Sequence, residues 1–441
     1  MEYVLTPLPK SEIEIKVALP FSEFEPRVRR AAVLISEEIE IEGFRKGHAP
    51  YEVVKNRVGE SAIYERAAEL AARHTYPELI AQIRDEQSAK KKDFTPIGKP
   101  EITLTKLSPG NELCYTVRMT VLPAVNLPDY KSIARKILTT KETQAVSDEE
   151  VGAAIRWLRE SRTQLITVDR PAQAGDRIEV DFETRAGGVK LAQGDSRRHP
   201  IILGQKKFIP GFEDHLIGMK AEEIKSFTLT APEDWHAKKF AGKALDFTTT
   251  MKMVQERRMP ELNGEFAKGM GDFATMEALQ ASVREGLLAE KIDKEKQRIR
   301  GLVVAEIAKD AEIELPTILI DAETGKMLEE LKAGVAEMGM KWEDYLLHIG
   351  RAEENLRLDW REEAERRARI GLCLREIAAK ERLQPSEEEI AERTNQTLQQ
   401  FRTANAESSA RYGTGVDPER LREYTKGVLR NEKVFDWLEQ F

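Results

Sequence analysis

The sequence predicts a multidomain α+β chain, with an α/β segment first, a small antiparallel-sheet domain in the middle and an elongated all-helical region with arms at the end. Three observations predict this. Apolar residues alternate with period two near residues 12–18, 115–121 and again between 178 and 253, the spacing of half-buried strands. Elsewhere they recur every three to four residues, as on amphipathic helices. At 441 residues, with 41% hydrophobic and 33% charged side chains, the chain exceeds what one core serves and suits long solvated helices.

Ile13, Ile15 and Val17 share one face of the first strand. Ser22 and Glu25 form a capping-box pair with Pro26 in the first turn, and Val28, Ala31, Ala32, Ile35 and Ile39 continue as a helical stripe that stops at Gly43. A second helix runs from near Pro50 to Gly59. A third runs from about Glu60 to Ile83, with Ile63, Ala67, Leu70 and Ala71 on its stripe. Tyr115, Val117, Met119 and Val121 return to strand alternation, and the Pro-punctuated stretch from Pro123 to Pro128 closes a first domain, 1–128. A helical connector, 129–171, opens at Ser147 with Glu150 as a second capping box, and Ile155, Leu158 and Leu165 form its apolar side. Residues 172–256 form the strand-rich domain. Its strands hold Ile178, Val180 and Phe182, then Ile201–Leu203, Phe227–Leu229 and Phe247–Met253. Gly187 and Gly188 make a turn, and one short helix covers Glu213–Ile217. From 257 to 441 the chain is helical. Leu279, Val283, Leu287 and Ile292 begin one long helix, Pro316 starts another with Ile320, Met327, Leu328 and Leu331 inward, a third covers about 352–381, and Pro385, Ser386 and Glu389 cap a fourth. No fixed-period repeat or sustained heptad is present, which points to packed arms.

The formal net charge is −8, from 69 basic and 77 acidic residues, so the chain is not built to coat nucleic acid. DNA is not an expected partner, and contact with RNA requires a local patch. Cys114 and Cys373 are far apart in sequence and fit a reducing cytosol. No secretory leader and no run of about eighteen apolar residues is seen, so a cytoplasmic location without a membrane partner is expected. The six histidines show no metal-ligand spacing. The chemistry discussed below calls for no metal or cofactor.

The most informative stretch is Gly43-Phe44-Arg45-Lys46-Gly47-His48-Ala49-Pro50. Glycines bracket an aromatic and two adjacent cations between two predicted helices. This reads as a tight hairpin tip that projects Phe44, Arg45 and Lys46 into solvent. An aromatic anchor beside two cations fits a surface with an apolar pocket, acidic groups and phosphates. A plain helix C-cap with an incidentally exposed Phe reads the same residues. The pattern Gly-Phe-Arg-Lys-Gly-x-x-Pro resembles the ribosome-binding signature of the trigger factor family. That resemblance implies that Gly43, Phe44, Arg45, Lys46, Gly47 and Pro50 dock the chain on the large ribosomal subunit. The contact would be a ribosomal protein beside the exit tunnel, with ribosomal RNA nearby.

The stretch from Gly204 to Asp214, with Gly218-Met219-Lys220 after it, resembles the FK506-binding-protein fold in the version carried by trigger factors. Gly175–Phe182 and Pro232–His236 fit the same pattern. The resemblance implies prolyl cis–trans isomerisation in a pocket walled by Phe182, Leu191, Ile209, Phe212, Trp235 and Phe247. Two departures are visible. Leu191 and Ala192 stand where many relatives have an aromatic and an acidic residue, and His199 stands where an aromatic is common. These departures put turnover in doubt, and apolar residues in this pattern also serve as ordinary core.

In the helical region, Leu262–Ala267 and Glu314–Asp321 resemble trigger-factor C-terminal segments. The resemblance implies arms that cradle nascent unfolded polypeptides, and a weak homodimer away from the ribosome. Met327, Met338 and Met340 suit promiscuous apolar contact or interface packing equally. A stand-alone isomerase with a helical targeting region, and a binding-only chaperone with a degenerate isomerase domain, remain alternatives at this point.

Overall fold

The computed structural model describes residues 1–89, 93–233, 241–404 and 417–441. The chain divides into two compact units: residues 1–141 together with 296–441, and residues 142–295.

The first unit begins with a four-stranded antiparallel sheet, β1 (Glu2–Leu8), β2 (Glu12–Leu19), β3 (Pro96–Lys106) and β4 (Leu113–Val121), in the order β1-β2-β4-β3. The register sets Ile13, Ile15, Val17 and Leu19 opposite Met119, Val117, Tyr115 and Leu113, all on the buried face. Helices α1 (Phe21–Glu38) and α3 (Glu60–Ala89) cover that face, and α2 (Tyr51–Val58) lies between them in sequence. Ala67, Ala68, Ala71 and Ala72 of α3 are buried, and such small side chains let a helix approach its neighbours closely.

Three details differ from the sequence reading. First, α1 starts at Phe21 with Pro20 at its N-cap position, and no side chain caps it. Glu25 instead pairs with Arg29 at 2.8 Å, one turn on along the exposed face, so Ser22 and Glu25 do not form a capping box. Second, α1 ends at Glu38. Ile39 is extended, which brings it and Ile41 onto the core in a non-helical stretch. Third, Pro50 and Gly59 do bound α2, but α3 runs six residues past Ile83 despite Pro77.

The stretch from Pro123 to Pro128 holds β5 (Val125–Asn126), which pairs with β11 (Glu312–Ile313). The Ser11 hydroxyl donates to the Glu314 carbonyl at 3.0 Å, and Arg375 reaches Asp93 at 3.5 Å. The N-terminal domain and the helices after 296 therefore form one packed unit. Its helical part comprises α4 (Tyr130–Leu138), the last turns of α8 (Met276–Asp310), α9 (Thr317–Glu337), α10 (Trp342–Ile349), α11 (Glu353–Asp359), α12 (Arg361–Lys380), α13 (Glu387–Ala404) and α14 (Pro418–Leu438). Tyr130, Val303, Ile307, Ile377 and Val434 are central to its core. The helix expected over 352–381 is two helices, broken at Trp360. Ser386 and Glu389 form the expected reciprocal cap of α13.

The second unit contains a five-stranded antiparallel sheet of β6 (Gln164–Thr167), β7 (Arg177–Ala186), β8 (Val189–Ile202), β9 (Ile224–Thr230) and β10 (Ala244–Arg258). Strand β10 pairs with β6, β7 and β9, and β8 pairs with β7. Helix α5 (Asp148–Ser161) opens with the full Ser147–Glu150 capping box. It packs Val151 and Ile155 with Phe266 of α7 (Gly264–Met270) and Leu279 of α8. Leu165 is not on this helix, because α5 ends before it; it lies in β6, exposed. Short helix α6 (Phe212–Leu216) follows the 204–211 loop. Among the described residues no helix is long and apolar enough to cross a membrane.

One buried polar pair tests the first core. Thr75 Oγ1 donates to the Ala71 carbonyl at 2.8 Å and lies 2.6 Å from the Tyr115 hydroxyl, so it accepts from Tyr115. Burial pushes the Tyr115 phenol above its ordinary pKa. Thr75→Val strands a buried donor and is expected to cost about 2 kcal/mol, whereas Tyr115→Phe removes the donor and costs about 1 kcal/mol. The double variant should sit near the milder single, as read from chemical unfolding.

Candidate functional site

Two sites can be built from the residues upward. The first is the connection between α1 and α2, residues 39–50. It is a twelve-residue loop, longer than the tight hairpin tip the sequence predicts, because α1 stops at Glu38. Ile41 and Ala49 are buried in the sheet–helix core and pin its two ends. Between them are two turns. The Phe44 N–H donates to the Ile41 carbonyl at 3.1 Å, and the His48 N–H donates to the Arg45 carbonyl at 3.0 Å. The Gly47 N–H reaches back to the Ser36 carbonyl at 3.0 Å. Gly43 and Gly47 have φ of +86° and +79°, which residues with a β-carbon resist. A β-carbon at Gly47 would also lie 2.9 Å from Glu37 Cγ. Phe44 is 43% exposed, and Arg45 and Lys46 are exposed with no ion pair among the described residues.

The second site is a ring cluster in the second unit. Phe212, fully buried at 0% exposure, is its hub. Its centroid lies 5.9 Å from Phe182, 4.3 Å from Phe208, 5.4 Å from Phe227 and 5.0 Å from Phe247. The contacts with Phe182, Phe227 and Phe247 are edge-to-face, an arrangement that satisfies the ring quadrupoles. Ile209 is buried in the same core and Leu191 packs against it. His199 joins from β8, its ring 5.5 Å from Phe182 and 5.8 Å from Phe208. Five of the six wall residues expected from the sequence thus gather in one core. Trp235 lies outside the described residues, as do His236 and the Ala192 side chain.

The sequence reading missed Phe208, Phe227 and His215. His215 stacks on Phe227 at 4.4 Å, and Phe227 faces Phe247 across the β9–β10 register. The half-buried alternation of β9 was the signal that could have marked Phe227. A cleft of about 480 Å³ opens beside the cluster, with His199, Ile201, Gln205, Lys207 and Phe208 among its walls. A smaller one, about 260 Å³, lies between Lys206, Pro210 and Asp214. His199 and Phe208 are the wall that the cluster and the larger cleft share.

Next to Phe212 on α6 sits a buried carboxylate that periodicity does not flag, and it borders both clefts. Glu213 is 5% exposed and accepts the N–H groups of Gly204 (2.7 Å), Lys206 (3.0 Å) and Lys207 (2.9 Å). At the base of β7, burial alone would raise the Asp176 carboxyl. Two Arg170 N–H groups at 2.7 and 3.0 Å and the Gln173 N–H at 2.9 Å outweigh that, so Asp176 is held below the ordinary carboxylate value. At the edge of the cluster the Ser196 hydroxyl lies 3.4 Å from His199 Nδ1, and no group of metal-ligating side chains occurs among the described residues. The helical region carries exposed apolar groups of its own: Met338 (68%), Met340, Leu347 (83%) and Leu358. Met327, by contrast, is buried core.

Comparison with known proteins gives three family matches. Residues 1–158 match the bacterial trigger factor protein, residues 168–252 match FKBP-type peptidyl-prolyl cis-trans isomerase, and residues 275–440 match the bacterial trigger factor C-terminus. A trigger factor of Lysinibacillus sphaericus is 31% identical over 426 residues, covering 95% of this chain and 96% of its own. One of Bacillus cytotoxicus is 33% identical over 359 residues, covering 81% of each chain. A solved structure of a trigger factor chaperone, described for promiscuous substrate recognition in folding and assembly, shares the fold. Its TM-score is 0.53 at 21% identity, with 100% of this chain and 99% of that one covered.

Two outcomes follow from the polar contacts. Glu213→Ala leaves three N–H groups without their acceptor. It should destabilise the unit by on the order of 3 kcal/mol and speed hydrogen exchange at the Gly204, Lys206 and Lys207 amides. The folded Asp176 pKa lies below its unfolded value, so its contribution is full above about pH 4 and is lost as pH falls through the lowered folded value. Asp176→Asn should therefore flatten the acid limb of the unit's stability, read by unfolding at a series of pH values.

Proposed function

The chain belongs to the trigger factor family and is a chaperone with an FKBP-type peptidyl-prolyl cis-trans isomerase domain; from that premise we propose how its two sites divide the work. The 39–50 loop docks the chain on the large ribosomal subunit beside the exit tunnel. Phe44 enters an apolar pocket, and Arg45 and Lys46 meet acidic side chains or RNA phosphates. Gly43, Gly47 and Pro50 shape the loop that presents them. The observation that carries this reading is the Phe44 ring, held 43% exposed between two buried pins. An apolar ring held in solvent beside two cations that make no ion pair among the described residues suits a contact outside its own domain.

In the isomerase domain, 172–256, the planar prolyl amide is stabilised by resonance and turns slowly unaided. Resonance is lost in the twisted transition state, so the amide becomes less dipolar. A water-poor aromatic wall therefore favours the twisted form over the planar one. We assign this wall to Phe182, Leu191, Ile209, Phe212 and Phe247, with Phe208 and His199 at its open side. Trp235 is assigned by family pattern. No metal or cofactor enters this scheme.

The helical domain, 257–441, takes nascent unfolded segments on Met338, Met340, Leu347 and Leu358, whose exposure and, for Met, flexibility suit varied apolar partners. Residues 1–128 then act as the ribosome-binding domain and 129–171 as connector. The chain works in the cytoplasm, and a weak homodimer forms away from the ribosome.

The docking role is tested by co-sedimentation with ribosomes across a salt series. Phe44→Ala, Arg45→Ala and Lys46→Ala together should weaken binding more than tenfold, roughly the loss of one aromatic anchor and two charges, with an unchanged circular-dichroism spectrum. Undiminished binding by the folded triple variant removes the loop from the docking role.

A further inference from the structure

Six described residues other than glycine have a left-handed backbone, and two of them are near the clefts beside the ring cluster: Lys206 (φ +51°) lines the smaller one, and Arg198 (φ +48°) directly precedes His199, which lines the larger. Residues with a β-carbon resist this conformation, and where it persists the surroundings over-determine it. Here a carboxylate does so in each case by accepting that residue's own backbone N–H. Asp181 Oδ1 accepts from Arg198 at 2.7 Å, and Glu213 Oε2 accepts from Lys206 at 3.0 Å. The arrangement puts Arg197 and Arg198 at the β8 bulge and Lys206 and Lys207 on the loop that follows β8. All four side chains are exposed, and none makes an ion pair among the described residues.

The neighbouring acids are already engaged. Glu213 is taken up by three N–H groups, Asp181 by Arg198, Glu179 by Arg177 at 3.1 Å and Asp195 by Lys190 at 3.5 Å. Asp214, on the smaller cleft with Lys206, is the one nearby carboxylate left exposed without an ion pair among the described residues. Asp181 and Glu213 keep their charge but turn it toward backbone N–H groups, so the exposed charges at this rim are four cations and Asp214, in a chain whose net charge is −8. The rim flanks a cleft of about 480 Å³ whose apolar wall, His199 and Phe208, is shared with the ring cluster.

Resting on the isomerase reading of that cluster, we propose that this rim makes the domain selective for prolyl segments with an acidic side chain next to the proline. The proline ring lies against the half-buried Phe182, which Phe212 backs. The preceding residue then passes the His199–Phe208 edge and comes between the β8 bulge and the 204–207 loop. An acidic side chain there meets cations that have no ion pair among the described residues, whereas an apolar one gains only the His199–Phe208 wall.

The test uses the full chain and short peptides that differ only in the residue before proline: Glu, Gln or Leu. Cis–trans exchange is measured by NMR at low and moderate salt. The Glu peptide should exceed the Gln peptide in kcat/KM by about fivefold at low salt, with the ratio shrinking toward one as screening rises. In the variant Arg197→Gln, Arg198→Asn, Lys206→Asn, Lys207→Gln the ratio should be close to one at every salt concentration. Asn is chosen at 198 and 206 because it tolerates the left-handed backbone. The salt series on the unaltered chain makes the outcome independent of whether the variant folds. Equal rates for Glu and Gln at low salt, with catalysis of all three peptides, overturn this proposal alone. Absence of catalysis on every peptide overturns the isomerase reading and the proposal with it.

Discussion

The Glu213 carboxylate receives three backbone N–H groups from a loop six to nine residues before it, and the shape of the aromatic wall depends on that contact. Helix α6 places Glu213 next to Phe212, so the residue that organises the loop is covalently beside the hub of the ring cluster. The loop includes a left-handed Lys206, a conformation that the chain would otherwise leave. Phe208 follows two residues later and reaches within 4.3 Å of the Phe212 centroid. A polar interaction beside the hub thus fixes apolar geometry in the wall. Burying a carboxylate is costly unless its oxygens are satisfied, and here three donors at 2.7–3.0 Å satisfy them.

The 39–50 loop solves a similar positioning problem by other means. Two apolar pins, Ile41 and Ala49, hold its ends, and two turns with glycine at their left-handed positions set its course. No buried charge is involved. The exposed Phe44, Arg45 and Lys46 are therefore free of internal duties, and their side chains can be exchanged without disturbing what holds the loop. At the isomerase rim the opposite holds: the backbones of Arg198 and Lys206 are tied to carboxylates while their side chains make no ion pair among the described residues.

Much of the fold was legible because burial follows periodicity where one face meets a core. Ile13, Ile15 and Val17 alternate because the sheet has one wet face, and Pro50 and Gly59 bound α2 through their fixed or permitted φ. Strands β1 and β3 were not legible. Both are edge strands, mostly exposed; β1 alternates in burial, but its exposed apolar Val4 between Tyr3 and Leu5 hides that in the sequence, and β3 has little burial to alternate. The break at Trp360 has no glycine or proline to announce it. In the ring cluster, Phe182, Phe212 and Phe247 were found by family pattern. Glu213 was not singled out, since a buried carboxylate on a short helix looks like any solvated helix face until its acceptors and donors are placed. Phe208 shows a further limit: a wall residue and a core residue have the same composition, and the distinction lies in the cleft beside it.

The chain order also conceals which parts belong together. Residues 1–141 pack with 296–441, joined by the two-residue β5–β11 pairing and by the Ser11–Glu314 contact. Pairings this short carry no periodic signal, so only the three-dimensional arrangement shows them. The Glu142 N–H donates to the Glu295 carboxylate at 2.9 Å, so the points where the chain enters and leaves the second unit lie side by side. A segment whose ends meet can be inserted into another unit without opening that unit's core. By this geometry the isomerase unit is an insertion. The loop at 39–50 and the exposed apolar groups at 338–358 belong instead to one packed unit, so the docking and client contacts proposed for them would share a scaffold that the inserted unit does not interrupt.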